Sequence, residues 1–195
     1  MIGIFLDTET NGLNAHKHFI LEIAFKLIDL RTGAFIDEYQ TLISHTEQEW
    51  RQSDKESLAV NGFCLEDIKN GKTTEEAARD IKDLFKKHKI KRGNAVFICQ
   101  NPSFDRAFFC QLIDPDTQEA LAWPYHWLDL ASMYWAVSLQ KGKKEEKYYP
   151  WNTGVSKDKI AAVYHLAPES KPHRARNGVD HLLACYTAVL GFPDQ

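Results

Sequence analysis

Two carboxylates end the first apolar run of the chain. Residues 4–6 are apolar and are followed by Asp7 and Glu9, with Thr8 between the two acids. An ionised carboxylate that leaves water needs compensation from a basic side chain, backbone donors or a metal ion. Side chains two apart on a strand share a face, about 6.5 to 7 Å apart along the chain. Both acids would therefore reach one spot, where oxygen ligands suit Mg²⁺ or Mn²⁺ better than Zn²⁺.

Two further acids follow predicted apolar elements. Asp105 lies just after the apolar stretch 95–99, and Asp180 opens the predicted helix 180–190. Each has a structural alternative, because an acid in the first turn or at the N-cap of a helix is favourable in any protein. Asp7 and Glu9 have one too, since solvated acids at an exposed strand end would give the same pattern.

Length, charge and cysteine content limit the kinds of protein that this chain can be. The chain has 195 residues, a net charge of −3 and four cysteines without a CxxC pair. We expect one domain over residues 1–195, with free thiols in a reducing, cytoplasmic compartment. The mild acidity argues against a protein that coats duplexes, but not against an enzyme that acts at one strand end through metal. No signal peptide or membrane span is predicted.

The order of elements predicts an α/β fold. Short apolar runs and a hairpin turn at 31–33 predict an antiparallel meander of strands over 2–7, 19–30 and 34–44, and a later buried strand over 95–99. Helices are predicted over 54–61, 65–70, 74–88, 104–113, 128–139, 157–166 and 180–190. The result is a mixed sheet flanked by helices, with parallel strands after the antiparallel opening.

Three motifs resemble those of the DEDD exonuclease superfamily, the DnaQ-like 3′–5′ exonucleases, in its His-containing DEDDh branch. DTETNGL looks like the first motif, NPSFD like the second and HRARNGVD like the third, and the likeness covers essentially the whole chain in the correct order. The resemblance implies a ribonuclease H-like fold and a single exonuclease domain.

The resemblance also implies a two-metal site holding Mg²⁺ or Mn²⁺. Asp7 would bridge both ions, Glu9 and Asp180 would complete the first site, and Asp105 would bind directly or through water. Four carboxylates balance two divalent ions, one of which would generate hydroxide while the other stabilises the leaving 3′ oxygen.

The resemblance also implies which residues contact the substrate. Thr10 to Leu13 would shape the pocket for the 3′-terminal nucleotide, with Leu13 wedged against a base. Asn101 would orient the second motif or touch a phosphate, while Phe104 is expected in the core. Three basic residues would guide the strand or simply face solvent: Lys171, Arg174 and Arg176.

The third motif departs from the family pattern. The usual interval from the His to the Asp is five residues, but His173 precedes Asp180 by seven. Asn177-Gly178 is a turn signal, so a bulging loop could absorb the two extra residues. We therefore hypothesise that His173 is the general base, with a surface role or another base as the alternatives. His181 adjoins Asp180 and would point about 100° away on a helix.

The leading functional hypothesis is a metal-dependent 3′–5′ exonuclease that releases nucleoside 5′-monophosphates from single-stranded DNA or RNA or from short oligonucleotides. It would act alone or as a bound subunit, as a homodimer or with a polymerase or repair partner. The alternatives are a non-catalytic module that binds nucleic acid or a partner protein, and an enzyme acting on mononucleotides.

Overall fold

A five-stranded mixed sheet, in the order β3-β2-β1-β4-β5, forms the centre of the protein. The computed structural model describes residues 1–194. Strands β2 and β3 continue antiparallel from β1, whereas β4 and β5 run parallel to it. The predicted mixed sheet is confirmed. The strands are β1 Ile2–Thr10, β2 Ile20–Asp29, β3 Phe35–Leu42, β4 Ala95–Cys99 and β5 Trp127–Asp129.

Helices cover both faces of this sheet. In chain order they are α1 Glu47–Trp50, α2 Lys55–Asn61, α3 Leu65–Ile68, α4 Thr74–Lys87, α5 Pro102–Leu112, α6 Pro115–Ala120, α7 Leu130–Gly142, α8 Pro150–Thr153, α9 Lys157–Val163 and α10 Ala175–Val189. A short 3₁₀ turn, Glu146–Tyr148, precedes α8. Among residues 1–194, no helix has the length and apolar character needed to cross a membrane.

Alternation along β1 divides the core into two layers. Ile4 and Leu6 face the layer formed with α4 and α5, while Phe5 faces the layer formed with α7, α9 and α10. Because helices pack on both sides of the sheet, β1 is buried on both faces. The same alternation sends Asp7 and Glu9 towards α9 and α10, and Thr8 towards α5.

Besides the short helices α1, α6 and α8, which the sequence analysis did not predict, a helix start and a strand differ from the prediction. Helix α10 begins at Ala175, so Asn177-Gly178 lies inside a helix and not in a turn. The backbone N–H of Ala175 donates to the buried Glu22 carboxylate at 2.8 Å, which satisfies one of the free donors at the helix start. Strand β5 also precedes α7, where the sequence pattern predicted only a helix; its three residues are too few to show a period.

The stacking of Phe97 on Trp127 gives a test of the core. Phe97 is fully buried, and its ring centroid lies 4.0 Å from that of Trp127. We expect Phe97→Ala to lower the free energy of unfolding by about 3 to 5 kcal/mol, because it leaves a cavity that the sheet cannot close. Phe35→Ala is the matched control, since Phe35 is 58% exposed. Equal losses in denaturant unfolding would contradict this account of the core.

Candidate active site

The end of β1 buries the first two acids on one face of the sheet. The side chain of Asp7 is 14% exposed, and Glu9 is 8% exposed. Burial raises the pKa of Asp7. Burial, followed by the charge of Asp7, raises the pKa of Glu9 to about 8. Two carboxylates held together out of water in this way favour a cation beside them.

A tight connection between β4 and α5 brings Asp105 to the same edge. Asn101 adopts a left-handed backbone conformation, φ 58°, and its N–H donates to Asp129 at 3.0 Å. Asp105 is buried in the first turn of α5 and accepts a hydrogen bond of 2.9 Å from the Thr8 hydroxyl. Burial, and then the charge of Asp7, raises the pKa of Asp105 well above its usual value. Asp7, Glu9 and Asp105 therefore lie together.

A lysine that no motif indicated contacts this group. The Lys157 ammonium, in the first turn of α9, lies 2.9 Å from Asp7 Oδ1 and 3.0 Å from Glu169 Oε2. Burial lowers its pKa, but the charges of Asp7 and Glu169 outweigh burial and leave the pKa raised. Burial likewise raises the pKa of Glu169, but the neighbouring His181 and Lys157 lower it to about 2. Sequence reasoning missed both Lys157 and Glu169.

His173 lies in the loop before α10, as predicted. Its backbone N–H donates to the carbonyl of Val60 at 3.3 Å, and its Nδ1 is 3.8 Å from Glu169 Oε1. Glu9, Glu169 and His173 offer ligand atoms that all lie within 4.8 Å of one another. His181 is buried behind Glu169, with Nδ1 3.6 Å from Glu169 Oε2.

Asp180 is not brought to this group, in disagreement with the sequence prediction. Its side chain is 48% exposed and forms ion pairs with Lys26 and, at 3.7 Å, with Arg176. The physical reason is the early start of α10, which replaces the expected bulge with helix. Gly178, five residues after His173, faces Asp7 so closely that an added Cβ would overlap its carboxylate. Asp180 is two residues further and points about 200° around the helix.

A small cleft opens beside the acids. Its volume is about 150 Å³, and its lining includes Thr8, Glu9, Thr10, Leu13, Ser57, Val60, Asn61 and Phe104. Leu13 is 78% exposed at its rim. Phe104 lines this cleft and also packs on Phe108, with ring centroids 4.9 Å apart. A larger cleft of about 530 Å³, lined by Phe19 and His45 among others, has none of the clustered carboxylates in its lining.

The other predicted contact residues are engaged elsewhere or exposed. Asn101 is exposed and accepts a hydrogen bond from Ser103 at 2.8 Å. Arg174 stacks on Phe63 at 4.1 Å and donates to the carbonyl of Asn61. Arg176 pairs with Glu38 at 2.9 Å, and Lys171 is exposed.

Asn61 connects the cleft to the loop that carries His173. Its side-chain amide donates to the Thr10 carbonyl at 2.9 Å, and its own carbonyl accepts from Arg174. Val60, the residue before it, accepts from the backbone of His173. The C-terminal end of α2 therefore holds both the cleft lining and the histidine.

The donor set fits a hard divalent cation in part. Carboxylate oxygens predominate, and Glu169 Oε1 is buried without a hydrogen-bond partner among residues 1–194. The four-carboxylate set implied by the sequence is not assembled, because Asp180 points outward and Lys157 already contacts Asp7.

Solved structures of known proteins share this fold. Among solved structures, a zinc-bound complex of E. coli exonuclease I with single-stranded DNA has a TM-score of 0.75 at 15% identity, covering 97% of this chain and 40% of that chain. A complex of the same enzyme with a dT13 oligonucleotide has a TM-score of 0.67 at 13% identity, covering 94% and 39%. The ribonuclease H-like fold expected from the sequence is thereby confirmed.

Two curated relatives match this chain over only part of their own length. Ribonuclease T of Shewanella denitrificans is 26% identical over 139 residues, 67% of this chain and 60% of that protein. The PolC-type DNA polymerase III of Thermotoga petrophila is 27% identical over 105 residues, 54% of this chain and 7% of that protein. The chain thus spans less than two thirds of each relative. Because residues 4–177 match the family described as Exonuclease, the chain belongs to the RNase_T exonuclease family.

Proposed function

We propose that the protein is a metal-dependent 3′–5′ exonuclease that releases nucleoside 5′-monophosphates from single-stranded DNA or RNA or from short oligonucleotides. The observation that carries the proposal is the buried group of Asp7, Glu9 and Asp105 beside the small cleft. Family membership and the single-stranded DNA bound to exonuclease I support it.

The cleft supports recognition of one strand end. Thr10 Oγ1 donates to the Gly12 carbonyl at 2.8 Å, which fixes the turn that leads to Leu13. An exposed leucine at the rim can wedge against the last base without reading its identity. The volume of about 150 Å³ is of the size of a single sugar ring. Exposed Lys171 remains available to contact the strand.

His173 is the proposed general base. A neutral imidazole accepts a proton near pH 7, and the ring lies beside the candidate cation position, with Nδ1 3.8 Å from Glu169 Oε1. Glu9 and Glu169 would hold a divalent ion, which supplies charge stabilisation and lowers the pKa of water when bound. Burial raises the pKa of Asp7 and the Lys157 ammonium opposes that rise, while the ion pair holds the Asp7 carboxylate in place beside that position.

A second candidate function is a non-catalytic module that binds nucleic acid. The observation that favours it is the ion pair of Lys157 with Asp7, which neutralises a carboxylate that the family uses for metal. The two candidates differ in whether a bound strand is shortened.

Incubation with 5′-labelled single-stranded DNA and RNA tests the activity. We expect ladders that shorten from the 3′ end with Mg²⁺ or Mn²⁺ and stop with EDTA. Asp7→Asn should lower the rate by at least about 10²-fold, because it removes the carboxylate that holds the Lys157 ammonium in the site, where positive charge stabilises the transition state. Binding of the labelled strand without any shortening would support the non-catalytic candidate instead.

The role of His173 is tested by its replacement. We expect His173→Ala to lower the rate by about 10² to 10⁴ while the Mn²⁺-induced rise in melting temperature remains, because a base is lost and not a ligand. His126→Ala is the matched control, since His126 is exposed and precedes β5 at the opposite end of the sheet. Loss of the Mn²⁺ effect in His173→Ala would make His173 a ligand.

Glu9 gives a pH dependence for the metal-free protein. Its pKa of about 8 in the folded state exceeds the usual 4.5, so only the unfolded chain releases this proton between those values. The contribution of Glu9 to the free energy of unfolding therefore falls by about 1.4 kcal/mol per pH unit as the pH rises between these two pKa values. Glu9→Gln should raise the melting temperature more at pH 8 than at pH 5. An equal shift at both pH values, or a similar trend in the exposed control Glu66→Gln, would contradict this.

A further inference from the structure

We propose that the active site holds one divalent cation and that the Lys157 ammonium occupies the position of the second. The inference rests on the proposed function, because it concerns the cation that the nuclease would use. Three independent features carry it: the contacts of Lys157, the backbone of α10 and the free oxygen of Glu169.

Lys157 already acts as a cation between two carboxylates. Its side chain is 14% exposed, and its ammonium donates to Asp7 Oδ1 at 2.9 Å and lies 3.0 Å from Glu169 Oε2. A divalent ion on the same oxygen of Asp7 would be within a few ångströms of this positive charge. Repulsion at that distance in a buried site opposes its binding. The Asp7 side of the site is therefore filled by the protein itself.

The four-carboxylate arrangement for two ions also lacks one of its members. Gly178 faces Asp7, and the approach of α10 leaves no space for a side chain at that position. The Ala175 N–H donates to Glu22 at 2.8 Å, which fixes where the helix starts and hence which residue faces the site. Asp180 consequently pairs with Lys26 on the outer side. Among residues 1–194, no other acid takes its place next to Asp7 on this helix.

Glu169 points to the one position that remains. It is only 7% exposed, yet its Oε1 has no hydrogen-bond partner among the described residues, which is costly unless a ligand satisfies it. Its ligand atoms, those of Glu9 and those of His173 lie within 4.8 Å of one another. Mg²⁺ in phosphoryl-transfer sites is held by one or two carboxylates, with water and substrate phosphate as the other ligands. Glu9 and Glu169 provide such a pair.

The number of Mn²⁺ ions bound per chain, counted from the free-ion electron paramagnetic resonance signal in a titration, tests the inference. We expect one ion for the wild type and two for Lys157→Gln, which keeps a hydrogen-bonding side chain but removes the charge. Lys157→Arg keeps the charge and should still bind one. Glu169→Gln should weaken binding of the single ion at least tenfold, whereas Asp180→Asn should bind like the wild type.

Several results would overturn it. If the wild type binds two ions and Asp180→Asn binds one, the four-carboxylate site is correct and the single-cation site is wrong. If the wild type binds no Mn²⁺, the protein has no such cation site. One ion in both the wild type and Lys157→Gln would reject the role of Lys157. If Lys157→Gln does not fold, the wild type and Asp180→Asn still decide.

The failure of the proposed function is separable from the failure of this inference. A protein that binds one ion but leaves labelled strands intact contradicts the exonuclease proposal alone. A protein that shortens the strands and binds two ions contradicts the single-cation site alone.

Discussion

The buried ammonium of Lys157, between Asp7 and Glu169, is the interaction on which the arrangement of the site depends. Burying three charges in one small volume is favourable only when each is paired, and removing one partner from such a group typically costs about 3 to 5 kcal/mol. The pairing joins β1, the start of α9 and the segment before α10. The ion pairs therefore add to the apolar layer that already packs α9 and α10 against β1.

The start of α10 decides which residues can contribute to that centre. A helix turns by about 100° per residue, so a shift of two residues exchanges an inward position for an outward one. The Glu22 carboxylate fixes the start, and Gly178 allows the helix to approach β1 without a side chain between them. The composition of the site therefore follows from the helix register and not from the linear spacing of the third motif.

The parts of the fold that sequence could predict are those with local causes. The apolar stretch of β4 and the capped amphipathic helix α4 lie close to their predicted bounds, and β1 starts where its apolar run predicted and extends three residues further. Asp7, Glu9 and Asp105 meet because strand ends at one edge of a sheet lie together.

The remaining parts have distant causes. The bond from Ala175 to Glu22 joins residues 153 apart, and that from Lys157 to Asp7 joins residues 150 apart. No periodicity within a window of ten or twenty residues carries such information. The turn residues Asn177-Gly178 predicted a loop for a sound local reason, which a tertiary contact then overrode.

The connection made by Asn61 has a mechanical consequence. The cleft lining and the loop with His173 are attached to the same end of α2, through the Thr10 carbonyl on one side and the Arg174 guanidinium on the other. A displacement of α2 would therefore act on the cleft lining and on the loop with His173 together. The cleft lining and the position of His173 are thus coupled through one short helix.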